Sequence, residues 1–146
     1  MKILIALISA MAVFTAAPTG YGQRQGIRGE IFWLGGNQMP GPGKIAAPKL
    51  GIQREIFIYK VTTVEKEQQT GPFFTDIKTE LVAKASSKDD GTFKVKLPPG
   101  EYSVFVKEPE GMFANLIDKT GKINPIVVQA KRFSWLTITV DYQASY

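Results

Sequence analysis

Asp90-Gly91-Thr92-Phe93-Lys94-Val95-Lys96-Leu97-Pro98-Pro99-Gly100-Glu101-Tyr102-Ser103-Val104 decides the fold of this 146-residue chain. From Thr92 to Leu97, Phe93, Val95 and Leu97 alternate with Thr92, Lys94 and Lys96. Period two is that of a pleated strand with one face in a core and the other in water. Asp90-Gly91 supplies the positive φ of a tight turn in front of it. Pro98-Pro99-Gly100 ends it, because neither proline has an N–H to donate to a ladder. Glu101 to Lys107 resumes the alternation, with Tyr102, Val104 and Val106 on one face and Ser103, Phe105 and Lys107 on the other.

The same period recurs on both sides. Upstream, Thr79, Leu81, Ala83 and Ala85 alternate with Glu80, Val82 and Lys84, and Lys88-Asp89-Asp90-Gly91 then joins this run to Thr92–Leu97. Together they read as a β-hairpin. Gly26 to Leu34, Arg54 to Val64, Ile126 to Gln129 and Ser134 to Tyr142 read as further strands, with a short one near Met112 to Leu116. In the last long run Leu136, Ile138, Val140 and Tyr142 oppose Trp135, Thr137, Thr139 and Asp141. Helical periodicity, heptads and internal repeats do not appear after residue 22. About seven short strands separated by turns predict an all-β, antiparallel Greek-key β-sandwich.

The Asp90–Val104 block resembles the carboxypeptidase regulatory-like domain, whose hallmark is Asp-Gly-x-Phe followed by Leu-Pro-Pro-Gly-x-Tyr. The resemblance implies a transthyretin-like (prealbumin-like) sandwich, with Ile27-Arg28-Gly29-Glu30-Ile31 as its first strand and Leu136 to Val140 in its last. Gly36 to Pro40, Arg54 to Tyr59 and Phe113 to Asn115 are similar to segments of stand-alone secreted bacterial members. No catalytic residue is implied, since such domains usually accompany a peptidase or a membrane barrel that supplies the activity. The physics of the block agrees: glycine for the turn, Phe93 and Leu97 for the core, and Tyr102 covering the proline corner. A tyrosine hydroxyl bonded to nearby backbone is a common corner device in sandwiches.

The N-terminal residues read as an address. Met1-Lys2 is a short positive start, Ile3 to Phe14 is apolar or small apart from Ser9, and small residues follow to Gly22. This describes a secretory signal peptide, residues 1–22, falling short of the roughly 20 apolar residues a spanning helix needs. Gly20 and Gly22 place the cut before Gln23, and Pro18 argues against a cut after Ala17. The mature domain is then residues 23–146, exported to the periplasm or secreted, with no transmembrane segment after cleavage. With no cysteine there is neither a lipidated N-terminal cysteine nor a disulfide. Export without cysteine fits a bacterial envelope or secreted protein.

Composition closes much of catalysis. With no His and no Cys, the chain has no Ser-His-Asp triad, no thiol nucleophile, no Cys/His zinc site and no histidine-ligated iron. The last point excludes intradiol dioxygenases, which share a prealbumin-like core. No cofactor is expected. Gly41-Pro42-Gly43-Lys44 lacks the spacing and Ser/Thr of a phosphate loop. Asp118 to Asn124 holds one Asp between two Lys, which suits a hairpin turn better than calcium. Glu108 stands where pilin-type adhesins place the Glu that promotes a Lys–Asn cross-link. Ile27 to Leu34 has no Lys, however, and Ser134 to Tyr142 no Asn. The net charge of +5 comes from cations scattered along the sequence, and with the signal peptide this argues against nucleic acid.

Two features suggest contacts. Gly35 to Gly51, rich in Gly and Pro, reads as either a solvated insertion or a binding loop at one end of the sandwich. Phe57, Tyr59, Phe105 and Trp135 fall opposite the predicted core faces. They form either a platform for a sugar ring or protein partner, or a covered second layer. The expectation is an exported non-catalytic module for binding or structural support, meeting a protein or polysaccharide of the cell envelope. The alternatives are a carbohydrate-binding module using an exposed aromatic face and, more remotely, a carboxylate-only glycosidase. The last requires two acids about 5–9.5 Å apart across a cleft.

Overall fold

The computed structural model describes residues 24–146, so the predicted signal peptide lies outside the described residues. In chain order the strands are β1 (Gly26–Asn37), β2 (Leu50–Gly51), β3 (Glu55–Lys60), β4 (Gln68–Thr70), β5 (Phe73–Thr75) and β6 (Leu81–Ser86). They continue with β7 (Thr92–Lys96), β8 (Gly100–Glu108), β9 (Gly111–Phe113), β10 (Pro125–Val128) and β11 (Phe133–Ser145). The only helical element among the described residues is a 3-10 turn, Val64–Lys66. The fold is an all-β sandwich.

One sheet has the order β11-β1-β2, and β7 shares with β2 the edge of β1 away from β11. The other runs β4-β5-β9-β8-β3-β6, with β10 continuing the β9 side of β8. The alternating residues read as core meet between the sheets. Ile27, Ile31, Phe93, Ile138 and Val140 from the first pack against Ile56, Ile58, Tyr102, Val104 and Val106 from the second. Burying such chains contributes roughly 1.5–3 kcal/mol each, so the inter-sheet layer holds the fold together without a covalent staple. The corner behaves as expected: the Tyr102 hydroxyl donates to the Pro98 carbonyl at 2.6 Å.

Three expectations need correction. The predicted hairpin of Thr79–Ala85 with Thr92–Leu97 does not form: β6 pairs with β3 and β7 with β1, in different sheets. The turn itself is present, with Gly91 N–H on the Lys88 carbonyl, Lys88 N–H on the Thr92 carbonyl (both 2.8 Å) and Gly91 at φ 88°. Ser87 N–H still donates to Arg54 O in one sheet, while Gly91 O accepts from Ile31 N–H in the other. The turn therefore hands the chain across the sandwich. The same local chemistry serves a hairpin or a corner.

Second, the sandwich is not wholly antiparallel, because β1 and β11, the two longest strands, run parallel in register from Gly26↔Phe133 to Trp33↔Val140. Third, there are eleven strands rather than about seven; the additional ones are two or three residues long. The Gly/Pro-rich stretch is also less loop than expected. β1 runs on through Gly36 (φ 80°), Gln38 N–H reaches Ser145 O, and Leu50–Gly51 returns to pair with Trp33 and Phe32.

Candidate functional site

The four aromatics do not share a face. Phe57, Tyr59 and Phe105 lie on the outer side of the larger sheet, whereas Trp135 is on β11, in the other sheet. Nor do the first three form an open platform. Phe105 is 0% and Phe57 7% exposed, and Tyr59 is half-buried. Phe105 meets Tyr59 and Phe74 edge-on, with ring centroids 5.6 and 5.7 Å apart. Ala114 and Ile123 complete this second core, with Val64, Ile77 and Met112 packed against it. The excursion between β3 and β6 and the segment after β9 fold over this sheet, and no residue of Gly35–Gly51 takes part. Phe57 lies beneath the Lys84 ammonium, 4.9 Å from the ring centre. Three of the four proposed contact residues are therefore packing residues.

Trp135 is different. It is 56% exposed, and its indole N–H donates to Thr137 Oγ1 at 3.0 Å, two residues on along the same face of β11. That bond sets the orientation of the ring, and the Arg28 guanidinium stands 5.9 Å from its centre. Arg28 is the register partner of Trp135 on one side and of Lys94 on the other. Lys94, Arg28 and Trp135 thus form one row across three neighbouring strands. A shallow cleft of about 230 Å³ is lined by this row with Lys88 and Thr92, and no carboxylate lines it. The cations looked scattered because they come from β1, β7 and the β6–β7 turn; pairing in the sheet gathers them.

A second polar cluster closes one end of the sandwich. The Glu108 side chain is 1% exposed and accepts from Arg54 Nε at 2.7 Å and from the Tyr142 hydroxyl at 2.9 Å. Arg54 Nη1 also donates to Gln53 O, and the guanidinium sits 5.9 Å from the Trp33 ring centre. Burial, and then the adjoining Glu108 carboxylate, push the Tyr142 phenol from 10.0 up to about 12, so it remains a donor. Glu108 has Arg54 and Tyr142 as partners, not the Lys–Asn pair of a cross-linked adhesin. Arg54 and Tyr142 carried no sequence signal for this role, since each stood in a strand pattern of its own.

Two further acids, Asp118 and Asp90, hold turns. Asp118 Oδ1 accepts from Thr120 N–H, Thr120 Oγ1 and Lys122 N–H, which lowers its pKa through the Thr120 hydroxyl first. Asp90 Oδ1 does the same with Thr92 N–H and Oγ1. Buried Glu67 is bonded by the Thr62 hydroxyl and the Lys78 N–H. Comparison with family models, curated proteins and solved structures finds no match for this chain.

Proposed function

We propose that this protein is an exported, non-catalytic binding module, a transthyretin-like sandwich of the carboxypeptidase regulatory-like kind. Its contact surface is the outer face of the four-stranded sheet, and its partner is a component of the cell envelope. The observation that carries this reading is Trp135, a large aromatic left open to solvent, oriented by its own hydrogen bond and flanked by Arg28. A ring held in place before a ligand arrives loses little conformational freedom on binding. Such a face suits the stacking of a sugar ring, which favours the carbohydrate-binding reading over a protein interface.

The non-catalytic reading is supported by the buried carboxylates, Glu67 and Glu108, whose oxygens are engaged by protein donors. Export rests on the character of residues 1–22, and the family on the Asp90–Val104 block with its Tyr102–Pro98 corner bond. The test is a screen of glycans and purified envelope components against wild type and Trp135→Ala. A ligand whose affinity falls at least about tenfold, or about 1.4 kcal/mol, in the variant supports the proposal. Full retention of binding by Trp135→Ala for every ligand found refutes it. Mass spectrometry of the secreted chain tests the cut before Gln23.

A further inference from the structure

We infer that the ligand of the Trp135 face is an acidic polysaccharide, with one sugar ring stacked on the indole and its anionic groups set against Arg28 and Lys94. This rests on the proposed binding role and names the chemistry of the ligand. The argument begins with register. Lys94, Arg28 and Trp135 are direct neighbours across β7, β1 and β11, and adjacent strands lie about 4.8 Å apart. A cation and a stacking surface therefore stand about one sugar ring apart. In the next row Lys96, Gly26 and Phe133 are paired, and the Lys94 ammonium lies 4.4 Å from the centre of the Phe133 ring. Gly26 puts no side chain between Lys96 and Phe133 in this second row.

Charge selects the ligand. The ion pairs among the described residues are Arg54–Glu108, Lys60–Glu80, Lys107–Glu55 and Lys122–Glu101, and none involves Arg28, Lys88, Lys94 or Lys96. The nearest acids on this face by register are Glu30, one row beyond Arg28 and partly buried, and Asp90, whose Oδ1 is engaged by Thr92. A neutral sugar would use the indole and leave these cations without partners; an acidic one uses both. Thr137, which holds the indole N–H, stands beside the ring in the row of Glu30 and Thr92. Single-stranded nucleic acid shares the anion and the stacking, but its binding grooves offer several open rings in succession. Here one ring is open, and Lys94 stands over Phe133.

The experiment is affinity electrophoresis or calorimetry of the protein with polygalacturonate. Dextran, oligo-dT and phosphatidylglycerol vesicles are the comparison probes. Wild type, Trp135→Ala and Arg28→Gln/Lys94→Gln are compared, with Trp33 fluorescence checking the fold. The inference expects polygalacturonate to bind, salt to weaken it, and each variant to weaken it about tenfold or more while dextran binds far less. Equal affinity for dextran, unaffected by Arg28→Gln/Lys94→Gln, overturns the acidic class and leaves the sugar-binding face standing. Tighter binding to oligo-dT or to vesicles overturns it as well. If no glycan binds, and Trp135→Ala abolishes recognition of an envelope protein, the inference fails while the proposed function survives. If Trp135→Ala changes nothing with any ligand, both fail.

Discussion

Phe105→Ala and Trp135→Ala should separate in stability as sharply as their sequence contexts made them look alike. Both aromatics stand opposite core residues in alternating strands, yet one is fully enclosed and the other is 56% exposed. Truncating Phe105 removes a ring packed edge-on against Tyr59 and Phe74. It leaves a void beneath the Ile123 and Ala114 cover. Phe-to-Ala changes in enclosed sites cost about 3–5 kcal/mol. The two lost ring contacts, at about 0.5–1.5 kcal/mol each beyond area burial, put this site toward the upper end.

Against a typical total of about 5–15 kcal/mol, that is a large fraction of the stability of the domain. It should lower Tm by about 10–20 °C. Trp135→Ala forfeits a half-exposed ring and one cation–π contact of about 0.5–1 kcal/mol, so the change should stay near 1 kcal/mol. Urea denaturation followed by fluorescence measures both, because Trp33 remains as the reporter when Trp135 is removed. An unchanged m-value with a lowered midpoint identifies a change in stability rather than in the unfolded state. A loss under about 1 kcal/mol for Phe105→Ala, or a larger loss for Trp135→Ala than for Phe105→Ala, would refute the second core.

Three further outcomes follow from the ends and corners of the sandwich. Glu108→Ala removes the partner of both Arg54 Nε and the Tyr142 hydroxyl. With Arg54 still one-third exposed, the expected loss is about 2–3 kcal/mol by urea denaturation. Tyr142 ionises at about 12 in the folded chain against 10.0 ordinarily. Its contribution is therefore complete below pH 10 and is lost as pH rises through 12. Tyr142→Phe should flatten the fall of the urea midpoint between pH 10 and 12 relative to wild type. Gly91→Ala places a Cβ 2.2 Å from the Ile31 carbonyl oxygen at φ 88°. It should destabilise by at least about 1–3 kcal/mol, and a neutral result by thermal melting would contradict the tight β6–β7 corner.

What could be read in the sequence was what nearest neighbours determine. Tyr102, Val104 and Val106 face the core and Phe105 the other side because a strand has period two whatever it pairs with. The proline corner and its tyrosine were equally local. Pairing was not: Lys88-Asp89-Asp90-Gly91 bends the chain in the same way whether the next strand returns to its neighbour or crosses the sandwich. The crossing is selected by β1, some sixty residues upstream, which pairs with β7 along its length and whose Ile31 N–H bonds Gly91 O at the turn. The platform of four aromatics failed for a related reason. Alternation gives the side of a strand but neither the sheet it joins nor what packs against that side, so Phe105 and Trp135 looked equivalent until Phe74 and Ile123 enclosed the first while the second stayed 56% exposed. The cationic row shows the same limit in reverse. Arg28 and Lys94 are sixty-six positions apart in the chain and adjacent in the sheet, because a parallel β11 and an antiparallel β7 flank one long β1. A charge pattern of that kind belongs to the topology, which is why the proposed binding face emerged only once the strands were ordered.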